Sequence, residues 1–130
     1  ENISKLKEPD DTLNRKGYSA LQIAASTGKT NAVQFLLQHG CNPNLKRTND
    51  LKIIYFFHVF YYWCIVYSTA LHLAVQSDNY ETVKVLLENN SNPNIVDSAG
   101  VYFFVLTSTP LFLAVFSNRV DIVSLLIEHG

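Results

Sequence analysis

The chain has 130 residues, about the size of one ordinary domain, so its length excludes a large multidomain enzyme. Hydrophobic residues make up 48% of the sequence, which is typical of a globular protein that buries a core. The formal net charge is −1 and the lysines and arginines are scattered, so there is no basic field for phosphates, which argues against nucleic acid as a ligand.

The N-terminal segment is charged and has no apolar h-region, so residues 1–11 show no signal peptide. Cys41 and Cys64 are too few for a disulfide framework and lack the CxxC spacing of a zinc site. We interpret them as reduced thiols of an intracellular protein, located in the cytoplasm or the nucleus. The first residue is not Met, and Gly130 falls just after a predicted helix, so we expect the sequence to be a fragment of a longer chain.

Three segments of the chain align with one another without gaps: 19–40, 69–90 and 109–130. Each begins with a hydroxyl residue directly before an apolar run, at Ser19, Thr69 and Thr109. An oxygen at this position can cap the free N–H groups of a new helix. Apolar residues then recur at helical spacing, so each segment is predicted to begin with a short helix.

The residue types at the helix ends also recur. The column after the first predicted helix holds Gly28, Asp78 and Asn118, residue types that tolerate a left-handed backbone. A second helix follows in each segment, and it is succeeded by a residue typical of a C-terminal cap. These cap residues are Gly40, Asn90 and Gly130. We therefore predict two antiparallel helices in each unit, with Asn-Pro turns after the first and second units.

The openings of the units resemble the Thr-Pro-Leu-His-x-Ala opening of the ankyrin-repeat family, reading Thr-Ala-Leu-His-Leu-Ala-Val at 69–75 and Thr-Pro-Leu-Phe-Leu-Ala-Val at 109–115. The resemblance covers three units, and residues 9–17 look like the tail of a preceding hairpin. It implies an all-α ankyrin-repeat solenoid of stacked antiparallel helix pairs with short hairpin loops. His72 is the one intact family histidine. Gln22 and Phe112 replace it elsewhere, which puts in question the hydrogen bond that this histidine makes across the turn.

The units are spaced more widely than the family period of about 33 residues. Leu21 and Leu71 are 50 residues apart, and Leu71 and Leu111 are 40 apart. The aligned columns place both extra segments at the tip of the hairpin between units, where insertions are best tolerated. The predicted organisation is a cap or repeat tail at 1–18, a repeat at 19–50, an insertion at 51–67, a repeat at 68–100, an insertion at 101–107 and a truncated repeat at 108–130.

The hydrophobic insertion at 51–67 has four possible explanations. A transmembrane helix is favoured by its hydrophobicity, but the run is short, contains Lys52 and His58, and is flanked by predicted solenoid. It is also compatible with an apolar finger that docks on a partner or a membrane surface, or with a loop folded back onto the solenoid. The fourth explanation is a retained intron, because Phe, Tyr, Ile and Leu are typical of AT-rich non-coding sequence. Val101, whose codon begins GT, fits this for the insertion at 101–107.

No arrangement of catalytic or metal-binding residues is found in the sequence. The four histidines are separated by irregular spacing from one another and from the cysteines, which gives a metal site little support. A GxSxG elbow, a Gly-rich phosphate loop and an HExxH motif are absent. His39 and His129 share a column near a helix C-terminus, where imidazole interacts favourably with the helix dipole. We predict no catalysis, no cofactor and no metal.

The resemblance implies that the chain binds another protein through the concave face of the solenoid. By the same resemblance, the contacting residues lie on the hairpin tips and at the exposed end of each first helix. These positions are Arg15, Lys16, Tyr18, Ser26, Thr27, Thr48, Asn49, Gln76, Ser77, Ser98, Ala99, Phe116 and Ser117. Leu111, about one turn before Phe116, is expected to be buried. We expect a monomer within a longer chain, with neither nucleic acid nor a membrane as its ligand.

Two further functional classes are compatible with the sequence. One is a regulatory ankyrin segment, either of a larger enzyme such as a kinase or ubiquitin ligase or of an inhibitor of Rel-type transcription factors. The repeats of such inhibitors carry similar Thr-Ala-Leu-His-Leu-Ala-Val runs. The other class is a membrane-associated ankyrin protein or channel domain anchored by residues 51–67.

Overall fold

The computed structural model of the protein describes residues 13–15, 17–47, 68–97, 99–101, 104–106 and 108–130, with 99–101 and 104–106 described in their backbone alone. In this part of the chain, six helices follow one another as three pairs: α1 (Ala20–Ser26) with α2 (Thr30–Gln38), α3 (Ala70–Gln76) with α4 (Tyr80–Glu88), and α5 (Pro110–Phe116) with α6 (Val120–His129). Strands β1 (Ala99–Val101) and β2 (Phe104–Leu106) form an antiparallel hairpin before α5, in which Ala99 pairs with Leu106.

All three predicted N-cap residues precede a helix, and two of them, Ser19 and Thr109, make the predicted side-chain cap hydrogen bond. The Gln22 N–H donates to Ser19 Oγ over 3.2 Å, and the Ser19 N–H donates to Gln22 Oε1 over 3.0 Å, which completes a capping box. The Phe112 N–H donates to Thr109 Oγ1 over 3.3 Å, and Pro110 occupies the first turn of α5, where its missing N–H costs nothing. The hydroxyl residues thus start the helices that their positions predict.

The predicted left-handed positions are confirmed as well. Between the two helices of each pair, φ is 64° at Gly28, 63° at Asp78 and 54° at Asn118. After the second helix of the first two pairs, φ is 86° at Gly40 and 65° at Asn90. Each of these residues lets the chain reverse within two residues of the helix end.

The three pairs stack in one direction. The first helices, α1, α3 and α5, form an inner row, and α2, α4 and α6 form an outer row. The core lies between the rows and between successive pairs, where Leu71, Val83, Leu86 and Ile122 have no exposed surface. The fold is therefore a helical solenoid in which each pair packs on its neighbours.

The prediction that Leu111 is buried is wrong, since 36% of its surface is exposed. Leu21 and Leu71 stand in the same column and are buried. They are buried because α3 packs on α1 and α5 packs on α3. Within the described part of the chain, no element stacks on the corresponding side of α5, so Leu111 keeps contact with solvent.

Candidate functional site

The predicted contact residues of the inner helices form one row. Ser26 and Thr27 lie at the end of α1, Gln76 and Ser77 at the end of α3, and Phe116 and Ser117 at the end of α5. All of these side chains are exposed except that of Ser26, which is half-buried. Because α1, α3 and α5 are neighbours, the three helix ends lie side by side on one edge of the solenoid.

Three of the four hydroxyl groups in this row, those of Ser26, Thr27 and Ser77, donate to backbone carbonyls. Ser26 Oγ and Thr27 Oγ1 each donate to the Ile23 carbonyl over 2.9 Å. Ser77 Oγ lies 3.3 Å from the Ala25 carbonyl, which joins α3 to the preceding inner helix. Since their protons are engaged, these hydroxyls offer acceptor oxygens to a ligand, while the amide of Gln76 offers both donor and acceptor.

Phe116 is the largest apolar group in the row. It is 67% exposed. Its ring stacks on that of Phe112, with centroids 6.5 Å apart and an angle of 16° between the ring planes. The pair presents a preformed aromatic surface at the third helix pair.

The hairpin before α1 supplies Arg15, which is exposed, and Tyr18, which is half-buried. The Tyr18 N–H donates to Asn14 Oδ1 over 3.0 Å, which holds the turn. The guanidinium carbon of Arg47 lies 3.9 Å from the centroid of the Tyr18 ring, a cation–π contact between successive hairpins. Only 9% of the surface of Arg47 is exposed, so it holds Tyr18 in place and is a supporting residue that the sequence analysis missed.

The sequence does contain an indication of the different role of Arg47. At the aligned position of the repeats, Arg47 is the only long basic residue. Asn14 and Asp97 stand at the same position of the other hairpins, and Asp97 Oδ1 accepts the Ser108 N–H over 2.8 Å. An arginine has no acceptor for that N–H group, and the Arg47 side chain instead lies on the Tyr18 ring.

Four predicted contact residues, Lys16, Thr48, Asn49 and Ser98, lie outside the described residues, as does the whole insertion at 51–67. Ala99 begins β1 and is described in its backbone alone.

The side chain at the position of the family histidine connects each of the first two inner helices to the next hairpin. His72 Nε2 lies 3.1 Å from the Ser108 carbonyl, and Gln22 Nε2 donates to the Ser68 carbonyl over 3.2 Å. Gln22 therefore keeps the hydrogen bond that its substitution had put in question. Phe112 has no donor, so the third helix pair lacks a side chain for this bond.

His72 is held in its neutral form. Its Nδ1 accepts the Thr69 N–H over 3.3 Å, while its Nε2 faces a carbonyl, so the proton belongs on Nε2. Burial lowers the pKa of His72, against a smaller opposing effect of the Ser108 carbonyl. A neutral imidazole that is fully hydrogen-bonded serves the structure and is not a free base.

The described surface also has an open depression of about 310 Å³ beside α4 and α6, lined by Tyr80, Asp121, Ser124, Leu125 and Glu128. It lies away from the row of inner-helix ends. The guanidinium of Arg119 donates to both carboxylate oxygens of Asp121, over 3.0 and 2.8 Å, and this hydrogen bonding lowers the pKa of Asp121. Asp121 is thus a paired anion, which is unsuited to the role of general base.

The described residues contain no group of three or more His, Cys, Asp or Glu side chains that could hold a metal ion. None of the six helices there has both the length and the hydrophobicity needed to cross a membrane.

The stacked pairs, the repeated left-handed turns and the Thr-x-Leu-His opening all correspond to one family. A family model described as ankyrin repeats matches the chain in three copies, over residues 2–97 and 47–130. The chain belongs to the ankyrin-repeat family. Ankyrin repeats are protein-interaction modules, and the family is generally non-catalytic.

Three curated ankyrin-containing relatives show the range of proteins that this ankyrin-repeat chain is similar to. Potassium channel AKT2/3 of Arabidopsis thaliana is 27% identical over 78% of the chain. The human transient receptor potential cation channel subfamily A member 1 is 33% identical over 68%, and human BCL-6 corepressor-like protein 1 is 29% identical over 72%. The chain spans 14%, 6% and 4% of these three proteins, respectively.

Proposed function

We propose that this ankyrin-repeat chain binds a partner protein through the concave face of its solenoid, without catalysis. The observation that carries the proposal is the row of exposed side chains at equivalent ends of the three inner helices. We call this set, together with the hairpin positions, the binding face. Its residues are Arg15, Lys16, Tyr18, Ser26, Thr27, Thr48, Asn49, Gln76, Ser77, Ser98, Ala99, Phe116 and Ser117.

The described part of the binding face changes in character along the solenoid. At the first pair, Arg15 is exposed and supplies a positive charge, whereas Arg47 is buried against the ring of Tyr18. The middle is polar, and the third pair ends in the exposed ring of Phe116. This order favours a partner segment that is acidic at one end and apolar at the other, because each end then meets a complementary group.

The test is a double substitution, Tyr18→Ala with Phe116→Ala. Aromatic side chains on a recognition surface often carry a large share of the binding energy, so we expect at least about a ten-fold weaker affinity for the partner. The partner is first isolated by affinity capture with the intact protein and then titrated, as a purified protein, by isothermal calorimetry.

The matched control is Phe35→Ala, because Phe35 is also an exposed aromatic but lies on the outer helix α2. We expect it to leave the affinity unchanged, and circular dichroism should show the same helix content in both variants. A folded double variant that binds as tightly as the unaltered protein would refute the assignment of the binding face.

The similarity to two ion channels supports a second candidate function, as the ankyrin segment of a membrane protein. Fractionation of cells that express the protein, with and without residues 51–67, separates the two cases. Recovery in the membrane fraction only when 51–67 is present supports the channel candidate. Recovery in the cytoplasm or the nucleus in both cases argues against the channel candidate. It supports the location that we propose.

A further inference from the structure

Charged residues are distributed unevenly along the outer row of helices. Residues 13–47, which include α2, contain no Asp or Glu. The next two outer helices carry exposed carboxylates, Glu81 and Glu88 on α4 and Asp121 and Glu128 on α6. On each helix the two acidic residues are about two turns apart, so they lie on the same side of it. The outer face of α4 and α6 is therefore acidic, whereas that of α2 is not.

This acidic face contains the open depression of about 310 Å³ beside α4 and α6. We call the depression the acidic groove, and its lining residues are Tyr80, Asp121, Ser124, Leu125 and Glu128. Pockets for drug-sized ligands have volumes of about 300–1,000 Å³, so the acidic groove has the size for a single large side chain.

The lining of the acidic groove combines apolar and anionic groups. Leu125 is 6% exposed and the Tyr80 ring is half-buried, so these two side chains form an apolar floor. Ser124 Oγ donates to Glu128 Oε1 over 3.4 Å, which places a hydroxyl and a carboxylate side by side above it. Such a lining suits a side chain that has an aliphatic stem and a cationic head.

The two carboxylates of the acidic groove differ in their charge balance. Arg119 forms an ion pair with Asp121, and hydrogen bonding to Arg119 lowers the pKa of this carboxyl group. Both ion pairs among the described residues use Arg119, and neither of them includes Glu128. The negative charge of Glu128 is therefore not balanced by a cation of the described chain.

The equivalent position of α4 indicates which cation is missing. Ser124 of α6 corresponds to Lys84 of α4, and Lys84 is three residues after Glu81 and four before Glu88. Opposite charges at these spacings attract one another on a helix surface. In α6 the acidic residues remain but a serine replaces the lysine, which leaves both the space and the charge for an ammonium group from another molecule.

We propose that the acidic groove binds a lysine side chain of a partner protein, presented by a basic segment that lies along the outer face of α4 and α6. The ammonium group donates to the Glu128 carboxylate and to Ser124 Oγ, while the aliphatic stem packs on Leu125 and the Tyr80 ring. The surface belongs to the outer row of helices, whereas the binding face belongs to the inner row and the hairpins. The proposal is therefore independent of the proposed function.

The test is an NMR titration of the isotope-labelled 130-residue chain with a short peptide of alternating serine and lysine. We expect saturable changes in the backbone amide shifts, concentrated at Tyr80 and at residues 121–128. The same peptide with glutamine in place of lysine should leave these shifts unchanged, because it has no cationic group.

Two substitutions locate the interaction. Glu128→Gln removes the unbalanced charge at nearly constant shape, and it should weaken the affinity for the lysine peptide about three- to five-fold, as expected for an exposed ion pair. Ser124→Lys introduces the cation that α4 has at this position, and the repulsion between like charges should weaken the affinity at least about ten-fold.

Glu88→Gln is the matched control, because Glu88 is exposed, occupies the position of Glu128 on α4 and does not line the acidic groove. It makes the same change in net charge, yet we expect it to leave the affinity for the lysine peptide unchanged. Circular dichroism should show the same helix content in all variants. The double variant Tyr18→Ala with Phe116→Ala should also bind the peptide normally, which separates this site from the binding face.

Three outcomes would overturn the proposal. A lysine peptide that leaves the shifts of Tyr80 and residues 121–128 unchanged shows that the acidic groove does not bind this side chain. Equal weakening by Glu88→Gln and Glu128→Gln indicates attraction to the net charge of the chain and not to the groove. Undiminished affinity of a folded Ser124→Lys variant shows that the peptide binds elsewhere.

Discussion

At the scale of single residues, Ser91 differs from the other buried polar side chains of the described part of the chain. Its hydroxyl oxygen is buried and has no hydrogen-bond partner there. It follows α4 at the position that Cys41 occupies after α2. A thiol tolerates such an apolar position better than an unpaired hydroxyl does.

Ser91→Ala is therefore expected to stabilise the protein by about 1 kcal/mol, since it removes an unsatisfied polar group without leaving a large cavity. The free energy of unfolding is measured by urea denaturation.

The matched control for this prediction is Ser19→Ala, because Ser19 is equally buried but accepts the Gln22 N–H. Loss of this cap should destabilise the protein by about 1 kcal/mol. If both substitutions shift the unfolding midpoint in the same direction, the hydroxyl of Ser91 has a partner that this explanation lacks.

Some residue roles could be predicted from sequence and others could not. The left-handed conformation of Gly28 and Asn118 was predictable, because it depends on the residue's own backbone preference. The contact between Arg47 and Tyr18 was not, since the two residues belong to different hairpins and meet only after the pairs have stacked. The sequence places an arginine where the other repeats have Asn14 and Asp97, which accept a hydrogen bond. This difference predicts a changed contact at Arg47 but does not identify Tyr18 as the partner.

At the scale of elements, His72 connects α3 to the hairpin that precedes α5. Its buried imidazole is neutral, and Asp97 and Lys46 act on its charged form with opposite effects. The ordinary histidine pKa of 6.5 applies when the chain is unfolded, and burial lowers the pKa in the folded protein. Protonation therefore favours the unfolded chain.

We expect the contribution of His72 to the free energy of unfolding to be largest above pH 6.5. It should fall as the pH drops from 6.5 through the lower pKa of the folded state. His72→Gln should remove this part of the pH dependence, because Gln22 makes the equivalent hydrogen bonds without titrating. Urea denaturation at pH 8 and at pH 5 measures the difference.

His39→Gln serves as the control for the pH experiment, because His39 is exposed at the end of α2. It should leave in place the loss of stability that His72 causes. A variant His72→Gln with the same loss of stability between pH 8 and pH 5 would show that other groups cause the effect.

The elements themselves were largely predictable, and their burial was only partly so. Ser19 and Thr109 indicated the helix starts because a cap is encoded within four residues of the chain. The burial of Leu111 was predicted wrongly, since the same leucine is covered in one pair and exposed in another, depending on what stacks beside it. The pairing of Ala99 with Leu106 likewise depends on a register that alternation of residue types did not reveal.

At the scale of the whole molecule, the helix pairs are held together by contacts between neighbours. The Asn92 N–H donates to Asn44 Oδ1 over 2.7 Å, between the turns of the first two pairs. Arg119 forms an ion pair with Asp78, between the second and third pairs. Stability in such a stack is approximately a sum over pairs and their shared interfaces, so it depends on how many neighbours a pair has.

The central pair, α3–α4, is packed on both sides, whereas in the described part of the chain each outer pair is packed on one side only. We therefore expect the slowest amide hydrogen exchange in α3 and α4, at least about ten-fold slower than in α1–α2 or α5–α6, or about 1.4 kcal/mol in opening free energy. The comparison is made by mass spectrometry. Equal opening free energies in all three pairs would instead show that the described solenoid unfolds as a single cooperative unit, in which the number of neighbours has no local effect.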